Sequence, residues 1–190
     1  MAMDGNERFR SIFLFQLGNF VEGLRTKYTL IVSSLLVSLF VYLFYRTEQT
    51  VVNHLAIAAV GETPYWVTRD WINQHIHLGS FGVYSLPEAL WVLAITLLSK
   101  RYYLGLNRLK ISLKFVPVLL VIGFEWFQFA HWANGRFDWV DLAGGIVFWV
   151  LGLLVLPEKE PKASLLAKWN FHGVACVLSY AIVYLAHVIQ

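Results

Sequence analysis

The chain has 190 residues, 58% of them hydrophobic and only 14% charged, against about 25% charged in soluble domains, and its mean hydropathy is +0.58. A water-soluble domain of this length has too little interior to hide so much apolar surface, so the composition excludes an ordinary soluble fold and points to lipid as the solvent. The formal charge of +3 is the excess that basic cytoplasmic loops supply, which removes nucleic acid as the expected partner; the single cysteine, Cys176, rules out an intrachain disulfide and a paired-cysteine metal motif.

In chain order, the first pattern is an apolar stripe of Phe9, Ile12, Phe13, Leu17, Phe20 and Leu24 at helical spacing beside Arg8 and Arg10. It predicts a cytoplasmic interfacial helix over 1–27, followed by a bundle over 28–190. The first long apolar run, 28–45, is too long for a signal-peptide core and is expected as a permanent anchor. Residues 47–80 are expected as an external helical segment, with Thr63 as N-cap and Pro64 at the first helical position, and with Trp66 and Trp71 at headgroup depth. Four more apolar runs follow, at 86–103, 111–130, 139–156 and 169–188. Each is close to the roughly 20 residues needed to span a hydrocarbon core as helix.

Basic residues alternate between the links. Arg8, Arg10, Arg25 and Lys27 precede the first span; Lys100, Arg101, Arg108, Lys110 and Lys114 surround the second link; Lys159, Lys162 and Lys168 lie in the fourth. The links between have only Arg46, Arg69 and Arg136. The positive-inside rule then places the N-terminus in the cytoplasm. The predicted fold is all-α, a polytopic transmembrane bundle of about five helices.

Ionisable residues inside apolar runs carry the functional signal, because a carboxylate at membrane depth costs several kcal/mol unless it is paired, protonated or facing water. Glu125 lies 14 residues after Ile111, about 21 Å along a helix, with Gln128 on the same face. A short polar link with Arg136 leads to Asp138 and Asp141, which share a face at the start of the next run. A tight turn would bring Glu125, Gln128, Arg136, Asp138 and Asp141 into one pocket at the outer leaflet, with Glu88 beside it. Each has a plainer reading. Asp138 and Asp141 fit an N-cap and an N3 acid, Ser85 and Glu88 fit a capping box, and Glu125 fits a buried ion pair with Arg136. Trp126, Trp132 and Trp139 fit an aromatic belt or a stacking surface. Gly144, Gly145 and Gly152 fit close helix packing. His75 and His77 lack further ligands for a metal.

The run Glu125-Trp126-Phe127-Gln128, then Gly135-Arg136-Phe137-Asp138, then Asp141 and Gly144-Gly145, resembles the signature of VanZ-like membrane proteins over a core of about 86–156. The Asp-Lys and following His that the family often has before its second span have no counterpart here. The resemblance implies a bacterial cell-envelope protein in the cytoplasmic (inner) membrane, and a link to resistance against glycopeptide antibiotics of the teicoplanin type.

Three function classes follow. The leading expectation is a binding protein whose pocket takes a lipid headgroup, a lipid-linked molecule or a lipidated ligand, with membrane lipids as partners. Gln128, Arg136, Asp138, Trp132 and Glu88 would be its ligand-binding residues. The second is a membrane-embedded enzyme acting on a lipid phosphate, with Glu125 as acid or base and Asp141 beside it. The third is a small proton-coupled transporter titrating at Glu125. No cofactor is assigned, and no metal except Asp138 and Asp141 in a cation-dependent reaction.

Overall fold

Long apolar runs can be buried only with every backbone N–H and C=O paired, and most of this chain achieves that as α-helix. The structure is a computed structural model describing residues 5–46, 51–106, 109–132, 136–155, 162–165 and 171–188. The side chains of Arg8, Arg10, Phe9, Ile12, Phe13, Leu17 and Phe20, and the positions 133–135, Leu156, Trp169, Arg108, Lys159 and Lys168, lie outside that description. Among the described residues are seven helices: α1 (Gly5–Tyr45), α2 (Val51–Val60), α3 (Glu62–His75), α4 (Ser80–Ser99), α5 (Val116–Phe129), α6 (Trp139–Leu154) and α7 (Phe171–Val188). Two stretches are long and apolar enough to cross a membrane, Glu22–Tyr45 within α1 and the whole of α4, while Trp139–Leu154 and His172–Ile182 are shorter apolar helices.

The chain is not purely helical. Strands β1 (Tyr102–Leu106), β2 (Leu109–Ser112) and β3 (Ala163–Ser164) form one small sheet in the order β2-β1-β3. The antiparallel pair matches Tyr103 with Ser112 and Leu106 with Leu109, and β3 joins β1 in parallel. This corrects two expected spans. The run 86–103 leaves the helix at Ser99, and the run 111–130 starts as strand and a 3-10 turn before α5 begins at Val116. Tyr102, Tyr103 and Ile111 are strong β-formers, and cross-strand pairing overrides an apolar pattern that fits either state.

The N-terminal stripe and the first span form one uninterrupted helix. Its 41 residues extend about 60 Å, with no break near residue 27. Its last carbonyls, which no helical N–H can reach, are met by side chains of α3: Tyr65 Oη donates to Leu43 O at 2.7 Å, Asn73 Nδ2 to Phe44 O at 3.1 Å, and Arg69 Nη2 to Arg46 O at 2.8 Å. The joint between α2 and α3 is Gly61, whose φ of 90° suits glycine. Gly61 is also the N-cap of α3, so Thr63 and Pro64 sit inside its first turn.

Helix α4 occupies the centre, packed against α1, α5, α6 and α7. Trp91, Val92, Ile95 and Val121 form one core cluster; Ala94, Leu97 and Leu98 join Ile31, Tyr102, Leu113 and Cys176 in a second. The predicted capping box at Ser85 and Glu88 is not formed. Helix α4 starts at Ser80 behind an N-cap at Gly79, so both residues are interior and buried. Pro87 stands inside the helix, and Ser38 Oγ donates to its carbonyl at 3.1 Å.

Candidate functional site

Two glycines set the approach of α6. A Cβ on Gly145 would lie 2.7 Å from Val121 Cγ1, and one on Gly152 2.9 Å from Thr96 Cγ2. Only a missing side chain permits these contacts. Gly144 faces Ala89 as well. The two α4 pairs set α6 parallel to α4, and the Val121–Gly145 contact together with the Asp138–Glu125 bond sets it antiparallel to α5. Glu125 is one turn beyond Val121, and Asp141 one turn before Gly145, so the Val121–Gly145 contact brings the two acids face to face. Glu88 precedes Ala89, which faces Gly144. One carboxylate oxygen from each of Glu88, Glu125 and Asp141 lies within 4.8 Å of the others. Ionised together, the three would repel by about 3–4 kcal/mol per pair at an effective dielectric of about 20, so the helix packing holds together what electrostatics would separate.

The turn into α6 shows why Glu125 is held. Helix α5 ends in a Schellman motif, with His131 in the left-handed region at φ 59°. His131 N donates to Gln128 O at 3.1 Å and Trp132 N to Phe127 O at 2.8 Å, with the Trp132 and Phe127 rings 6.1 Å apart, as that motif requires. Asp138 is the N-cap of α6, its Oδ1 accepting from Val140 N at 2.8 Å. In a capping box the N3 acid would accept the N-cap's own N–H. Here Glu125 Oε2 accepts the Asp138 N–H from the neighbouring helix, at 2.9 Å. Asp141, the N3 residue, is thereby free to turn towards Glu88 and Glu125. Its Oδ1 is buried and has no hydrogen-bond partner among the described residues. Asp138→Ala is expected to lower stability by about 0.5–2 kcal/mol and Asp138→Asn to leave it nearly unchanged, read by thermal unfolding in detergent.

Glu125 also borders a cavity of about 240 Å³ whose other walls are Ile122, Trp126, Phe129, Phe137, Trp139 and Leu142. The aromatics brace one another edge to face, Phe137 against Trp139 at 4.8 Å and against Phe129 at 5.7 Å. The cavity is therefore an apolar, ring-walled recess with one ionisable group. No protein-family model, curated protein or solved structure matches the chain. Any functional reading rests on this geometry and on the residues that form it.

The predicted site residues divide. Glu88, Glu125 and Asp141 come together. Asp138 caps its helix outside the cluster and touches Glu125 only through its backbone. Arg136 is exposed, and among the described residues it forms no ion pair with Glu125, so that expected pair is replaced by the Asp138 N–H. Gln128 is half-buried and offers its carbonyl to His131 N. Trp132 is 77% exposed and rests on Phe127, away from the cavity wall, whereas Trp126 and Trp139 line it. His75 is engaged locally: its Nδ1–H donates to Trp71 O at 2.7 Å, and its ring stacks on Trp71.

Two residues at the end of α1, one inside it and one just beyond it, belong to the same neighbourhood and were not predicted. Tyr42 is buried, and Arg46 lies over the Tyr42 and Tyr84 rings while its Nη2 donates to Tyr84 O at 2.9 Å. Arg46 is within electrostatic reach of Glu88. The available signal was an arginine at the end of an apolar run, on the same side as the acids.

Proposed function

We propose that the chain is an integral membrane protein of the VanZ-like type that binds an amphiphile, a lipid headgroup or a lipid-linked or lipidated molecule, at the acidic end of its bundle. The observation that carries this reading is the cavity beside Glu125: apolar and aromatic walls next to a residue whose carboxylate belongs to the acidic cluster. Such a recess matches a molecule with a hydrocarbon or ring portion and a polar head. At about 240 Å³ it is smaller than the roughly 300–1,000 Å³ of a site for a whole drug-sized ligand, so it suits part of a chain or one ring.

Lipid as the surrounding solvent is supported by the outward faces. Val32 and Leu36 on α1, Leu119 and Trp126 on α5, and Leu154 on α6 are each more than half exposed, far beyond the scattered apolar residues of a soluble surface. Arg101, Lys110, Lys114 and Lys162 gather where α4 ends and α5 begins, opposite the acids, as the positive-inside rule demands of a cytoplasmic face. Three of the residues that carry the family resemblance have linked jobs. Gly145 sets the helix approach, Glu125 holds the Asp138 N–H, and Asp141 meets Glu125.

Full-length protein extracted from membranes with native lipid should, in native mass spectrometry, retain a bound amphiphile. Trp126→Ala combined with Trp139→Ala should weaken that binding by about thirtyfold, since two lost ring contacts at about 1 kcal/mol each come to about 2 kcal/mol. Equal occupancy in the double variant would sink the assignment of this cavity, and failure to sediment with alkali-washed membranes would sink the membrane reading.

A further inference from the structure

We infer that Glu88, Glu125 and Asp141 form a binding site for one divalent cation of the hard, oxygen-seeking kind: magnesium, manganese or calcium. Three helices contribute one carboxylate each, and the three oxygens lie within 4.8 Å of one another. Acid clusters are common, and proximity alone would not carry this. The unmet needs of these particular groups do. Glu88 is only 7% exposed and Glu125 only 3%. Glu88 reaches the cluster with one carboxylate oxygen and receives no hydrogen bond among the described residues, while Asp141, a partly buried residue, has its Oδ1 sealed from solvent without a partner there. A buried carboxylate held for structure alone would be met by donors. Glu125 has one, the Asp138 N–H, leaving its other oxygen for the cluster.

The charge count agrees. With an ion bound, the three carboxylates would be ionised and bring three negative charges, and Arg46 acts on Glu88 through space. Arg46 forms no ion pair with the acids among the described residues; its contacts are the Tyr84 carbonyl and the Tyr42 and Tyr84 rings. With Arg46 counted, one divalent ion balances the site. The donor set is oxygen only, which selects against zinc and copper. An oxygen spread of up to 4.8 Å is about twice a calcium–oxygen distance, and magnesium or manganese would need the carboxylates drawn in by a few tenths of an ångström. Three protein ligands leave coordination positions open, as is usual where a cation also meets a phosphate. Because Glu125 borders the aromatic cavity, the ion would lie next to a phosphate-bearing amphiphile held there. That last extension rests on the proposed function; the cation site does not.

The test is manganese binding by the full-length chain in detergent after chelator treatment and buffer exchange, read by electron paramagnetic resonance of the free ion. The expected result is saturable uptake of one Mn²⁺ per chain, competed by Ca²⁺ or Mg²⁺. Glu88→Gln and Asp141→Asn should each weaken it by about tenfold or more. Both variants, metal-free, should melt no lower than metal-free wild type, since each removes a repulsive charge, and only wild type should gain stability when Mn²⁺ is added. Absence of saturable uptake by the wild-type chain overturns the site, and so does uptake that both variants retain unchanged. Amphiphile retention by the same chelated wild-type preparation separates the two readings: retained lipid without Mn²⁺ uptake ends the cation site alone, and Mn²⁺ uptake without lipid ends the amphiphile reading alone.

Discussion

Gly145→Ala is expected to destabilise the folded chain by about 1–3 kcal/mol, the usual cost of forcing a methyl into a filled space. The added Cβ would meet Val121 at 2.7 Å and 3.1 Å through its two γ-carbons. Valine is stiff about its single side-chain torsion, and Val121 is wholly buried in the cluster with Trp91, Val92 and Ile95, so it has nowhere to turn. The strain must move α5 away from α6. Because Glu125 and Asp141 are each one turn from that contact, the acids should separate with the helices. The check is a double-mutant cycle in thermal unfolding: Val121→Ala in the Gly145→Ala background should recover part of the loss, although Val121→Ala alone leaves a cavity and destabilises. Additive losses would show that the Val121–Gly145 contact does not govern helix spacing. Gly144→Ala, whose Cβ would meet only Ala89 at an ordinary 3.8 Å, is the control and should be close to neutral.

Glu125 is expected to separate structure from binding through two variants. In Glu125→Gln the amide oxygen can still accept the Asp138 N–H, so the α5–α6 turn keeps its tie. A bond to a neutral acceptor is weaker by about 1 kcal/mol, and relief of repulsion from Glu88 and Asp141 offsets that loss. Melting should therefore stay near wild type while retention of the amphiphile proposed for the cavity falls. Glu125→Ala removes the acceptor outright and leaves a partly buried N–H unmet, at about 1–3 kcal/mol, so it should melt clearly lower. If the two variants melt alike, the Glu125–Asp138 bond does not hold the turn. If Glu125→Gln keeps its ligand in full, the carboxylate is not the polar end of the cavity.

Much of this was legible in the sequence for local reasons. The apolar runs required internally bonded backbone, and the structure is mostly helix. Asp138 before Trp139-Val140-Asp141 follows an i-to-i+2 capping rule that depends on no distant residue, and the cap is formed. Glu125 stood out because an acid in the middle of an apolar run has no solvated face to occupy. Other readings failed where a local pattern fits two outcomes. Ser85-Leu86-Pro87-Glu88 reads as a helix start, yet α4 begins at Ser80 and carries Pro87 in its interior, buried among its neighbours. The sheet depends on β1 meeting β3 about sixty positions later, a pairing that no window of sequence contains. The Glu125–Arg136 pair was plausible by charge, but the Asp138 N–H was nearer.

By itself, then, the amino-acid sequence determined the helical character of the apolar runs, the segregation of basic from acidic links, and the presence of carboxylates that apolar surroundings disfavour. These follow from composition and short-range periodicity, which act through backbone hydrogen bonding and solvent transfer. The tertiary structure alone decided which acids meet. Glu88 joins Glu125 and Asp141, while Asp138 and Arg136 do not, because two side-chain-free positions on α6 let it press against α4 and α5 at one register, and that register selects the residues that share the space.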